Sequence, residues 1–366
     1  MPGRVTRRRL LVAAGTVLAA PGCLGGSSSP PPTSTRARPA RLAGPLRVLA
    51  AAGSVPADDR IGFTRTRGVT VEVRTVTGGP GLVELIASGF PADAVLARQD
   101  DIATLGSLGL LRVLDHGHIP NLSLVGSDFL DLDYDRHNRW SAPVRYGVYG
   151  FGYRRDVVTE KPADWQSFFT LVPRYSLQGI TLFPGPIEPV AAALAALDED
   201  LNTDDDATLL RAQSVLLAAQ PHVNAFTTAD AAEFGRGGLV LAMGTSADFD
   251  RILALPERRA DTVFVLPDGR AEMWIDGWAV PLAGRHPLTA EAWIDHQLAA
   301  PAAARAWAES RLPAPEQAAR RLLPARLRAD PLAALDPAVV NRYTPAAVTP
   351  AGLQKRAQIW GRLLAA

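Results

Sequence analysis

Apolar and polar residues follow one another along this chain in two rhythms. "LRVLAAA" (46–52) and "ADAVLA" (92–97) are short continuous apolar runs, the pattern of strands buried on both faces. "VTVEVRTV" (69–76) alternates with period two and predicts a strand with one polar face. Between these runs, "LVELIASG" (82–89) and "QDDIATLGSLG" (99–109) have helical spacing and end on glycine. Such alternation of strands and helices predicts an α/β lobe with a largely parallel sheet.

The same style continues. "YGVYGFGYRRD" (146–156), "GITLFPG" (179–185), "GLVLAMG" (238–244) and "DTVFVLP" (261–267) predict strands. "DWQSFFTL" (164–171), "IEPVAAALAALD" (187–198) and "DDATLLRAQSVLLAAQ" (205–220) predict helices, the first opened by the N-cap Asp164. Further helices are expected at 288–299, 301–309, 316–323 and 350–364. The absence of any repeat of roughly 20–50 residues excludes a solenoid or propeller.

One segment breaks the apolar rule. "AEMWIDGWAVPL" (271–282) reads as a strand, and period two puts Trp274, Asp276 and Trp278 on one face. Aromatic faces attract ammonium groups by about 0.5–2 kcal/mol each, and a carboxylate adds a charge-assisted hydrogen bond. Spacing alone is equally compatible with two tryptophans covering a hydrogen-bonded acid.

Composition narrows the function classes. With 366 residues, 47% of them hydrophobic, the chain can fill the cores of two domains. Its formal net charge is +1, and removal of residues 1–22, which hold four arginines and no acid, leaves −3. That balance argues against a nucleic-acid partner. The opening "TRRRLLVAAGTVLAAPGC" has a basic cluster, an apolar run from Leu10 to Ala20 too short to cross a bilayer, and then small residues. It reads as a signal peptide, and its paired arginines resemble a twin-arginine signal. Cys23, the single cysteine, follows in the manner of a lipoprotein cleavage site and is the expected lipid attachment point. Residues 24–44 are a Gly/Ser/Pro-rich tether. Residues 1–45 are therefore assigned to signal, anchor and tether, with the folded body outside the cytoplasmic membrane.

Catalytic patterns are sparse. The chain has no G-x-S-x-G, H-E-x-x-H or C-x-x-C. "HGH" (116–118) lies in a turn without a cysteine partner, and "TGGPG" (77–81) has neither phosphate-loop nor dinucleotide spacing. No enzyme activity, metal or cofactor is expected.

The order of several segments resembles the extracytoplasmic spermidine/putrescine-binding proteins of ABC importers. "LRVLAAAGSVPADD" resembles the family's first strand and its Val-Pro turn, and "ADAVLARQDDIATLGSLGLLRVLD" its next strand–helix–turn. "SAPVRYGVYGFGYRRDVV" (141–158) resembles the crossover between lobes, and "ADWQSFF" a helix start. "FGRGGLVLAMGTSADF" and "EMWIDGWAVP" resemble a later strand and the hinge strand. About three quarters of the chain is covered. The resemblance implies a two-lobed periplasmic-binding fold, each lobe a central sheet flanked by helices, with crossover strands between them. Residues 46–143 plus 275–312 would form one lobe, and 144–274 plus 313–366 the other. The implied partners are a small solute, a polyamine first, and a permease–ATPase complex, with the chain a monomer.

Carried over by position, the resemblance implies ligand roles for Trp274, Asp276 and Glu188, the last at a helix start. Elsewhere the chain departs from the family. Ala52 and Ser54 stand for first-loop aromatics, Ala97 and Gln99 for a Ser and a Tyr, Thr245 for a Trp and Leu312 for a late Tyr. Ser54, Gln99 and Thr245 remain candidate lining positions. Trp278, Tyr146, Tyr149 and Arg145 would rebuild a pocket of another shape, in which Arg145 repels a cation or clasps a carboxylate. The alternatives are a small zwitterionic or anionic solute in the same fold, a surface or signalling lipoprotein that does not transport, and an exported enzyme.

Overall fold

The apolar run at the start of the body forms the middle strand of a parallel trio on one flank of a mixed sheet, described by a computed structural model. It describes residues 41–366 apart from 77, 257–259 and 336–339. The assignments to the signal, to Cys23 and to most of the tether lie outside the described residues. The strands are β1 (Leu46–Ala50), β2 (Val71–Thr75), β3 (Ala94–Arg98), β4 (Ser141–Arg154), β5 (Ile180–Leu182), β6 (Ala225–Phe226), β7 (Leu241–Thr245), β8 (Thr262–Val265), β9 (Glu272–Ala279) and β10 (Thr344–Pro345). The sheet runs β2-β1-β3-β9-β4-β7-β5-β6, with β8 on β4 and β10 on β9.

The expected α/β architecture is present, but parallel pairing is confined to the two flanks and the short β10. β1 pairs with β2 and β3 in parallel, as β5 does with β6 and β7. Across the middle, β9 is antiparallel to β3 and β4, and β4 is antiparallel to β7 and β8. This central pairing brings together residues 88 to 184 positions apart, which local pattern cannot report.

β4 is longer than the expected 146–156 strand at its N-terminal end. Ser141 to Val148 pair with β9, Tyr149 to Tyr153 pair with β7, and Phe151 to Arg154 pair with β8. Pro143 is tolerated because the register shifts just after it, at a bulge where a missing N–H costs little. Four α-helices of the described residues were not foreseen, Ala57–Arg67, Ala231–Arg236, Ser246–Leu253 and Ala325–Arg328. Ala57–Arg67 buries only Asp59 and Phe63, so its sequence shows almost no apolar stripe. Ser246–Leu253 begins at Thr245, whose hydroxyl accepts from the Asp248 amide in a capping box.

Separate apolar cores lie on the two flanks. One gathers β1, β3 and β9 with Phe63 and Trp293. Another gathers the end of β4 with β5, β7, Trp165 and Phe168. The last helix, Pro350–Ala365, packs on Asp206–Ala219, and its Trp360 meets Phe226 edge-on at 5.0 Å.

Candidate functional site

Three strands set the site. On β9, Asp276 stands opposite Arg98 of β3 on one side and Arg145 of β4 on the other. Directly opposed residues share a face, so the three form a row of alternating charge. The bulge makes this row. The register passes from Pro143 opposite Gly277 to Arg145 opposite Asp276, which leaves Val144 as the extra residue. In an unbroken ladder Val144 would face the acid. Arg145 donates Nε to Asp276 Oδ2 at 2.7 Å, with Nη2 in an ion pair to the same oxygen at 2.7 Å, and Nη1 donates to Ser54 Oγ at 2.9 Å.

Two residues along β9, Trp274 lies over Gly147 of β4. A Cβ at Gly147 would sit 2.5 Å from the indole Cζ2, so this close approach requires glycine. The indole walls a pocket of about 360 Å³ together with Arg98, Tyr149, Phe183, Glu188 and Asp276. Its Nε1 is buried and has no hydrogen-bond partner among the described residues.

Arg98 is held from three places in the chain. Its Nε and Nη2 grip Asp100 at 2.9 and 3.2 Å, Nη2 also reaches Glu188 Oε1 at 3.1 Å, and Nη1 donates to the Tyr149 hydroxyl at 2.7 Å. That hydroxyl donates to Glu188 Oε1 at 3.3 Å. Burial, opposed by Arg98, raises the Tyr149 phenol well above its usual range and keeps it a donor. Glu188 opens the helix Glu188–Ala196, where the amide ends of the first turn favour a carboxylate.

Beneath the wall, β9 begins with Glu272. It is buried, and both carboxyl oxygens lack hydrogen-bond partners among the described residues. Burial first, and then the charges of Glu188 and Asp100, hold it well above the carboxylate range, with Arg98 and Arg356 opposing. Burial thus favours its protonated form, while the acids that line the pocket, Asp276 and Glu188, each hold an arginine.

Of the residues singled out from the sequence, Trp274, Asp276, Glu188 and Thr245 come together on this pocket. Five others are placed differently. Trp278 is 1% exposed and packs edge-on against Trp293 at 6.0 Å, in the first apolar core. Gln99 is fully buried and accepts the Ile275 amide at 2.8 Å, so it braces β9 from behind. Ser54 and Arg145 line an adjoining niche of about 20 Å³, room for a single water. Thr245 keeps its place on the wall, but its hydroxyl is committed to the helix cap. Tyr146 is buried against Phe129 rather than in the pocket, whereas Tyr149 is in it.

Arg98 and Phe183 were missed. Arg98 had a usable signal: it is the one charged residue of the strand "AVLAR" and closes its carboxyl end, where α/β sheets place their ligands. Phe183 follows β5 as one apolar residue among several, and nothing in its neighbourhood marks it.

No protein-family model matches the chain. Its curated relatives are polyamine-binding proteins. The putrescine/cadaverine-binding protein of Pseudomonas aeruginosa is 30% identical over 220 residues, which is 58% of this chain and 62% of that protein. The spermidine/putrescine-binding periplasmic protein 1 of Haemophilus influenzae is 24% identical over 274 residues, 74% of each chain. Among solved structures, the spermidine/putrescine ABC transporter substrate-binding protein of Streptococcus pneumoniae superposes with a TM-score of 0.77 at 21% identity, over 87% of this chain and 98% of that one. The resemblance read from the sequence is borne out, and the fold is that of the periplasmic binding proteins.

Proposed function

We propose that this chain is the extracytoplasmic solute-binding component of an ABC importer, and that the pocket beside Trp274 captures an alkylammonium solute of the polyamine class. The observation that carries this is the convergence of Asp276, Glu188 and Trp274 on one pocket from β9 and a distant helix. Carboxylates pair with ammonium groups, and the indole and Phe183 pack on methylenes. Supporting it, the curated relatives bear names of putrescine-, cadaverine- and spermidine-binding proteins.

The mechanism follows from how the walls are assigned. Asp276 and Arg98 belong to the sheet built around β1, whereas Glu188, Tyr149 and Phe183 belong to or adjoin the core around β5 and β7. We assign these to the two lobes of 46–143 plus 275–312 and 144–274 plus 313–366. A solute that bridges them draws the lobes together and shifts an open–closed equilibrium. Export, with attachment through a lipid on Cys23, places the protein where a permease and ATPase receive the solute.

The test is a thermal-shift panel of putrescine, cadaverine, spermidine and N-acetylputrescine. At least one raises Tm in the wild type, and the rise disappears in Asp276→Asn, which keeps the shape of the side chain. No shift with any amine at millimolar concentration sinks the ligand assignment.

A further inference from the structure

We propose that Arg98 makes this pocket selective for alkylamines that carry a single ammonium group and end in a hydrogen-bond acceptor, a carboxylate or an amide, over diamines of the same length. This rests on the assignment of the pocket as the solute site.

The argument is one of occupancy. A diamine needs a free carboxylate at each end. Glu188 Oε1 already receives Arg98 at 3.1 Å and the Tyr149 hydroxyl at 3.3 Å. An ammonium brought to Glu188 therefore lies against a guanidinium, whose charge repels it. Arg98 cannot easily swing aside. The two-point grip of Asp100 and the bond to Tyr149 fix its plane. Asp276 and Glu188 each keep one oxygen without a hydrogen bond among the described residues, Oδ1 and Oε2, but their arginines are placed differently. Arg98, which holds Glu188, lines the pocket itself, whereas Arg145, which holds Asp276 Oδ2, lines the adjoining niche. Asp276 Oδ1 is thus the oxygen left for a ligand ammonium.

The other end of the ligand meets Arg98 itself. A guanidinium has five N–H groups, and four are used here by Asp100, Glu188 and Tyr149. The remaining Nη1 donor suits an acceptor and no ammonium. Because Arg98 and Asp276 are cross-strand partners, donor and acceptor sites sit side by side on one wall.

Isothermal titration of the purified protein with putrescine, 4-aminobutanoate and N-acetylputrescine decides the matter. The wild type binds at least one of the acceptor-ended amines tenfold or more tighter than putrescine, and Arg98→Gln reverses that order. Preference for 4-aminobutanoate alone identifies a carboxylate terminus, and preference for N-acetylputrescine alone an amide. Putrescine bound as tightly as both, or tighter, overturns the proposal while leaving the polyamine assignment standing. No binding by any of the three, nor by the longer polyamines, overturns both. If Arg98→Gln does not fold, the wild-type order and Arg98→Lys, which keeps the charge but loses the planar fork, carry the test. The lysine variant is expected to narrow the tenfold preference, and an unchanged ratio would count against the role of Arg98.

Discussion

Arg145 meets Asp276 because β4 carries one residue more than β9 at Val144. Both side chains are about nine-tenths buried or nearly so, with 15% and 10% exposure. Removal of one partner leaves the other charge in a poor solvent, at a cost of about 3–5 kcal/mol. Arg145→Met is expected to lose that much in urea denaturation. The double variant Arg145→Met, Asp276→Leu regains most of it, since two apolar side chains need no counter-charge. A double variant as unstable as the single one would show that the pair is not the source of the loss.

Gly147 is under the indole of Trp274 and has no room for a methyl group. Gly147→Ala pushes the ring into the pocket or forces the strands apart, and overpacking of this kind costs about 1–3 kcal/mol. Ligand affinity should fall at least tenfold, alongside a lowered Tm. Calorimetric titration checks the first and thermal denaturation the second. Unchanged values for both would mean that the strands yield at no cost.

Glu272 gives stability a definite pH dependence. Its folded pKa is raised well above the ordinary 4.5 by burial, with Glu188, Asp100, Arg98 and Arg356 as the charges that face it. The native state then keeps a proton that the unfolded chain releases. This contribution is fully present below about pH 4.5 and is lost as pH rises towards the folded value. Glu272→Gln removes the dependence. The variant is expected to be more stable than the wild type at pH 8 and no more stable at pH 4, measured as Tm across the range. A difference that is the same at both pH values contradicts a raised Glu272 pKa.

Gln99 serves the site from below through the Ile275 amide. Gln99→Leu fills the same volume but orphans that buried N–H, at about 1–3 kcal/mol. A denaturation midpoint equal to that of the wild type would show that water takes over the bond.

These residues also show what the sequence could and could not convey. The apolar runs at 46–52 and 92–97 are strands in fact, because continuous burial on both faces leaves a local mark. The pairing of β9 between β3 and β4 left none, since it joins segments separated by about 180 and 130 residues. Trp274 and Asp276 were legible because two polarities alternate in one short run. Trp278 belongs to the same alternation yet lies in the core, since by Ala279 the strand has passed beneath the helix Pro287–Leu298 and its Trp293. Period two gives the face, whereas the neighbouring layer decides whether that face is wet. Arg98 escaped attention for a related reason. Its importance comes from Asp100, Tyr149 and Glu188, two of them remote in the chain.

β4 passes from one set of pairings to the other without a loop. Its first eight residues hydrogen-bond with β9 and its last six with β7 and β8. Neither half of the sheet can melt and leave that strand intact for the other. Heating should therefore give one endotherm with matching calorimetric and van't Hoff enthalpies, and amide protons on both halves of β4 should exchange at a common, global rate.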